Sequence, residues 1–229
     1  MTMFSTGTFL LYFGLLIIIP LWASSRVKST YKKYSKVGAS SGMTGAETAQ
    51  RILHENGIYD VSVEPVKGQL TDHYDPRAKV VRLSEGNYYG RSIAGAAVAA
   101  HEVGHAIQDA ENYSFLKLRS ALVPAAGFGS NASIFFIIGG ILLTSQGLML
   151  AGIFLMAAAV LFQVVTLPVE FNASSRAMTQ IVSTGIIRNE EERETKKVLN
   201  AAALTYVASA LVAVLELTRF IWMYFAMDE

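Results

Sequence analysis

The chain has 229 residues, of which 52% are hydrophobic and 16% charged, against about 25% charged in an average soluble domain. That length fits one or two domains, but the composition and a mean hydropathy of +0.37 exclude an ordinary soluble protein and point to the membrane. The absence of cysteine excludes a disulfide framework and any thiolate-ligated metal, and a formal net charge of +1 points to no nucleic-acid partner.

Residues 1–25 carry no charged side chain and contain the run "FLLYFGLLIIIPLW". Thr6 to Ser25 is long enough to cross a bilayer, which takes about 20 residues. The positive residues follow this run instead of preceding it, which predicts a retained anchor and not a cleaved signal. Pro20 is expected to bend or end its last turn. Arg26, Lys28, Lys32, Lys33 and Lys36 come next, before any acid.

The stretch "MTGAETAQRILHENGI" reads as a helix with Thr44 as N-cap, Glu47 three residues on, and Gly57 as the stop. His54 is expected on its surface face. "DVSVEPV" (60–66) alternates like a strand, and "AKVVRLS" (78–84) reads as an edge strand, with "KGQLTDHYDPR" as the connector. After "EGNYYG" a small-residue helix is predicted from about Arg91 through "SIAGAAVAAHEVGHAIQ".

Residues 121–169 are again free of charge, which predicts two helices joined at "TSQG" (144–147). A fourth span starts near Ala201, interrupted by Glu216 and Arg219, which are three apart and able to pair on one face. Gly139 and Gly140 suit close helix packing, within one chain or in a homo-oligomer. With four crossings, 18 of the 19 basic residues lie on one side, all but Arg219. The positive-inside rule then assigns that side to the cytoplasm. The resulting organisation is an N-terminal anchor (1–25), a cytoplasmic domain (26–120), a transmembrane hairpin (121–169), juxtamembrane helices (170–200) and a C-terminal transmembrane helix (201–229).

"HEVGH" carries the chemistry. On a helix His101 and His105 project from one face and can reach one ion, with Glu102 placed to take a proton from water. Zinc suits two imidazoles and a carboxylate. In a chain of this composition H-E-x-x-H is expected by chance only about 0.004 times. Gly104 costs about 1 kcal/mol of helix propensity against alanine, which close approach of another backbone would offset.

A third ligand cannot be a histidine at the usual spacing, because Gln108 and Glu111 stand where glycine and histidine would be. Asp109 and Glu111 point away from the pair, and the acids at 190–194 belong to a solvated charge run. Glu170, in "TLPVEFNASSRAM", stands apart. Two crossings return the chain to its starting side, so this acid can meet the histidines; its alternative is a helix cap or a lipid-edge acid.

The blocks "DHYDPRAKVVRLSEGNYYGRSIAGAAVAAHEVGHAIQ" and "LPVEFNASSRA" closely resemble the bacterial membrane-bound neutral zinc metallopeptidases of the YugP type, over nearly the whole chain. The resemblance implies an α-helical membrane protein of about four transmembrane helices with a small α+β zincin-like domain, containing a short sheet and the HExxH helix. It implies one catalytic Zn2+ held by His101, His105 and Glu170, with Glu102 as general base. It further implies a multi-pass protein of the bacterial plasma membrane, in contact with its lipids, cleaving peptides or membrane proteins from the cytoplasmic side. More distantly the chain is similar to the CAAX-processing and HtpX membrane metalloproteases, whose glutamate ligand stands in E-x-x-x-D. Here Ser174 replaces that aspartate, which leaves Asn172, Asn131 or a backbone carbonyl to orient a histidine.

His73, Tyr74 and Arg176 are candidate transition-state or substrate contacts because they lie in the flanking blocks. Their plainer readings are a polar hairpin turn, an amphipathic filler and a snorkelling anchor. Three other classes compete: an intramembrane-cleaving metalloprotease, a transporter, and a membrane scaffold with a structural zinc site. No later aspartate in an apolar segment supports the first, and only Glu216 and Arg219 place charge inside a span, as the second would need.

Overall fold

A computed structural model describes residues 6–227, with all side chains among them except those at 6 and 189. In chain order the elements are α1 (Thr6–Tyr34), α2 (Gly45–Glu55), β1 (Ser62–Val66), β2 (His73–Asp75), β3 (Val80–Ser84), α3 (Glu85–Tyr88), α4 (Ile93–Ala110), α5 (Ser114–Leu142), α6 (Gln146–Ser183) and α7 (Asn189–Phe225). Four of these helices, α1, α5, α6 and α7, are long and apolar enough to cross a membrane. The protein is therefore an α-helical membrane protein with a small three-stranded sheet.

The chain divides into two compact units, one comprising the segment up to Trp22, Ser114–Pro168 and the segment from Tyr206 on. This unit leaves Leu10, Phe128, Phe135, Leu142 and Phe154 each exposed by more than half, an apolar surface that lipid satisfies and water does not. Gly129 packs directly on the Leu155 carbonyl, with no room for a Cβ, so α5 and α6 meet backbone to backbone. Arg219 pairs with Glu216 at 2.5 Å, Glu216 accepts from the Tyr12 hydroxyl at 3.1 Å, and the guanidinium stacks 4.0 Å from the Phe220 ring. The two charges of the last span thus neutralise each other within this unit.

The second unit comprises Ala23–Tyr113 and Val169–Thr205. Its core gathers Ile52, Leu53, Val81, Leu83, Val103, Ile107, Ile181 and Ile186 around the alanines of α4. α2 begins as the sequence predicts: Thr44 accepts from the Glu47 backbone, Glu47 reaches back to the Thr44 backbone, and Gly57 follows at φ +70°. Ser92 caps α4 by accepting from the Gly95 backbone N–H.

Three local expectations change. The strand order is β1–β3–β2, so β3 is central and not an edge. The edges are β1 and β2, and β2 forms within the stretch read as a connector, because Asp75 accepts from the backbones of Arg77 and Ala78 and closes a tight turn back onto β3. Pro20 ends nothing: α1 continues to Tyr34, and α6 runs unbroken through Pro168. α7 begins at Asn189, so the charge run 190–197 forms its first turns and the apolar stretch from Ala201 continues the same helix.

Gly104 explains how α4 and α6 meet. A Cβ there would lie 2.6 Å from the Ala173 carbonyl oxygen and 3.2 Å from its carbonyl carbon and Cα. The obstacle is backbone, which cannot swing aside. Gly104→Ala is therefore expected to destabilise this unit by about 1–3 kcal/mol despite its better helix propensity. Thermal unfolding of the purified full chain checks this, and an unchanged or raised midpoint would refute it.

Candidate metal centre

One turn either side of that crossing, three side chains converge. His101 and His105 leave α4 on the same face, and Glu170 leaves α6 one turn before Ala173. All three are buried, and Glu170 retains only 2% side-chain exposure. Both imidazoles point Nε2 at the same carboxylate oxygen, Oε2 of Glu170, at 3.2 Å from His101 and 3.5 Å from His105. The three ligand atoms all lie within 4.8 Å of one another.

These distances carry chemical information. Ligands at zinc distances of about 2.0–2.1 Å in tetrahedral array are spaced by about 3.3 Å. The two measured separations bracket that edge length. Two borderline nitrogens and one hard oxygen are also the donor set that zinc accepts, leaving a fourth position open. The residues present fit the ion.

The sequence left open what holds the rings. Gln108 Oε1 lies 3.0 Å from His105 Nδ1, and its amide nitrogen donates to the Val169 carbonyl at 2.8 Å and to Asn172 Oδ1 at 2.9 Å. The carbonyl can only accept, so the amide orientation is fixed. Arg176, an obligate donor, fixes Asn172 in turn through its Nε at 2.7 Å. Gln108 Oε1 therefore receives the proton of Nδ1, and Nε2 of His105 presents its lone pair to the centre. On the other ring, Ser174 Oγ lies 3.2 Å from His101 Nδ1. The serine four residues after Glu170 thus lies within hydrogen-bonding distance of the histidine. The amide of Asn131, the other asparagine considered, donates to the Gly127 carbonyl.

Gln108→Ala should lower metal affinity about 10–100-fold, the range for losing an orienting partner, with His101 and His105 still in place. Competition titration against a chromogenic zinc chelator measures it. Wild-type affinity in this variant would remove Gln108 from the account.

Glu102 is buried one residue after His101, near enough to both imidazoles and to Glu170 for their charges to act on it. Burial pushes its carboxyl above the usual range; Asp72 and Glu170 add to that rise, and the two imidazoles oppose it. Burial works against the His105 imidazolium, but bonding to Glu170 and the charge of Glu102 outweigh it and raise its pKa. Without a cation the cluster thus favours a proton on His105, which a metal would displace.

The remaining candidates have partners of their own. His73 is exposed on β2, its Nδ1 2.8 Å from the Thr71 carbonyl. Tyr74 donates to Asp109 at 2.8 Å, and burial together with that carboxylate raises its pKa. Arg176 pairs with Glu111 at 2.7 Å besides holding Asn172. Sequence reasoning passed over Asp72. It accepts from Ser84 and from the Asn87 amide, which is itself bonded to Tyr31, and so ties the loop before β2 to the start of α3. A cavity of about 620 Å³ lies beside α6. It is lined by Phe171, Ser174 and Met178 with Glu192, Arg193 and Lys196 of α7, and Ser174 also lies 3.2 Å from His101 Nδ1.

Known proteins resemble the chain over most of its length. A sequence model described as "Putative neutral zinc metallopeptidase" matches residues 9–225. The chain is 59% identical over 206 residues to the "Putative membrane protease YugP" of Bacillus subtilis (strain 168), covering 90% of this chain and 92% of that protein. No solved structure matches.

Proposed function

We propose that this chain, which belongs to the neutral zinc metallopeptidase family, is a membrane-embedded endopeptidase acting at the cytoplasmic membrane face, with His101, His105 and Glu170 holding one zinc ion and Glu102 as general base. The observation that carries this reading is the convergence of both Nε2 atoms on one carboxylate oxygen at tetrahedral spacing.

Bound zinc supplies a Lewis acid that polarises a carbonyl and acidifies water. The chain's own groups do the rest. Glu102 accepts the proton of the attacking water and returns it to the leaving amine; its raised pKa suits both halves of that exchange. Gln108, Asn172 and Arg176 keep His105 in the ligating tautomer, and Ser174 orients His101. The edge strand β2 offers its free side to an extended peptide by strand pairing. There His73 would touch the substrate, while Tyr74 and Arg176 would first exchange Asp109 and Glu111 for it.

The cytoplasmic assignment of 26–120 and 170–200 rests on the positive-inside rule, and suits peptides or juxtamembrane tails of membrane proteins as substrates. The anchor (1–25), hairpin (121–169) and C-terminal helix (201–229) are proposed as the membrane part. An intramembrane-cleaving enzyme is the less favoured reading, because α4 is not among the helices long and apolar enough to cross.

The test is cleavage of a casein-derived peptide library by the full chain in detergent. Zinc chelation should abolish cleavage, and added zinc, but not magnesium, should restore it. Cleavage indifferent to chelation, or none with zinc loaded, would refute the reading.

A further inference from the structure

A second cavity, of about 530 Å³, lies between the C-terminal part of α1 and the N-terminal part of α7, within the unit that holds the metal centre. Three cations line it, Arg26 and Lys33 from α1 and Lys197 from α7, together with the polar side chains of Ser29, Thr30 and Asn200. No carboxylate lines it, and among the described residues none of the three cations forms an ion pair. Lys197 Nζ instead donates to the hydroxyl of buried Tyr34 at 3.4 Å, and the Lys33 ammonium lies 5.2 Å from the same ring. Uncompensated positive charge around a cavity rich in neutral hydrogen-bonding groups selects a phosphate-bearing anion.

The depth of the cavity says which one. On α1 the uncharged run ends at Ser25 and Arg26 is its first charge, one turn after exposed Trp22, a residue type that settles at headgroup level. On α7 the order reverses: Lys197 is the last charge, and the cavity closes on Ala201 and Leu204 before an uncharged run to Leu215. Both helices therefore change from apolar to charged at this cavity, α1 into a basic run and α7 into a mixed run whose two charged residues nearest the apolar stretch are Lys196 and Lys197, the level at which a bilayer presents its phosphates. We propose that it is a binding site for the headgroup of an anionic phospholipid, with Lys33 and Lys197 clasping the phosphate from either side. Three cations without an acid favour a net negative headgroup over a zwitterionic one.

The test uses the full chain in nanodiscs of phosphatidylcholine with one quarter phosphatidylglycerol. Native mass spectrometry of the ejected protein counts the phosphatidylglycerol retained, with circular dichroism verifying the fold. Wild type should retain one molecule. Lys33→Ala/Lys197→Ala should lower retention at least about tenfold, and Arg26→Ala, which leaves the Tyr34 contact intact, should lower it severalfold. Lys28→Ala/Lys36→Ala removes the same charge from exposed positions of the same segment that do not line the cavity, and should retain the lipid. Equal loss in both double variants, or no retention by wild type, would overturn the site in favour of a general basic belt. Displacement of the lipid by millimolar inorganic phosphate would overturn the lipid and leave a soluble phosphate as ligand.

Discussion

Replacing Glu102 by glutamine is expected to lower peptide turnover by about 10²–10⁴-fold, the range for loss of a positioned general base, while zinc content stays at the wild-type level. The separation follows from geometry. Glu102 is not among the three side chains whose ligand atoms converge, yet it is buried on the same helix, one residue after His101. The amide conserves shape and removes only the proton acceptor, so the packing of α4 against α6 should survive. Turnover and zinc content measured on one preparation check this. Activity retained in the variant would show that another group moves the proton, and loss of zinc would place Glu102 among the ligands.

Glu170→Ala should have the larger effect on the metal. Both imidazoles face one oxygen of this buried carboxylate, so its removal deletes one of the three proposed ligands together with its negative charge. The expected loss of zinc affinity exceeds about 100-fold, the upper end for losing an outer partner. Hydrolysis at stoichiometric zinc should vanish with it. Gln108→Ala, predicted to fall within the 10–100-fold range, provides the internal scale. An affinity for zinc equal in Glu170→Ala and Gln108→Ala would deny Glu170 a ligand's place.

Much of the centre could be read from the chain because its logic is either local or topological. His101 and His105 are one helical turn apart, which spacing alone reveals. Glu170 is 65 residues beyond His105, and what identified it was parity: an even number of crossings between 121 and 169 returns the acid to the side of the histidines. The capping box of Thr44 and Glu47 is equally local, and it forms as expected.

What stayed hidden depends on non-local contacts. Gln108 looked only like a failed glycine in a longer histidine motif; its function arises from the Val169 carbonyl and Asn172, 61 and 64 residues away. Ser174 looked like a missing aspartate, and only the crossing of α4 and α6 brings it to His101. The edge of the sheet was misplaced because His73–Asp75 is three residues long, too short to show alternation, and is strand only by its pairing with β3. Pro20 does not end its helix for another reason: in apolar helices, neighbours and local adjustment tolerate the missing N–H that would end a soluble helix.

The most direct measurement is anomalous scattering at the zinc edge from crystals of the full chain, which locates the ion without assumption about its ligands. The account predicts one peak, about 2.0–2.2 Å from Nε2 of His101, Nε2 of His105 and an Oε atom of Glu170. A peak coordinated without Glu170, or metal bound only elsewhere on the chain, would contradict it.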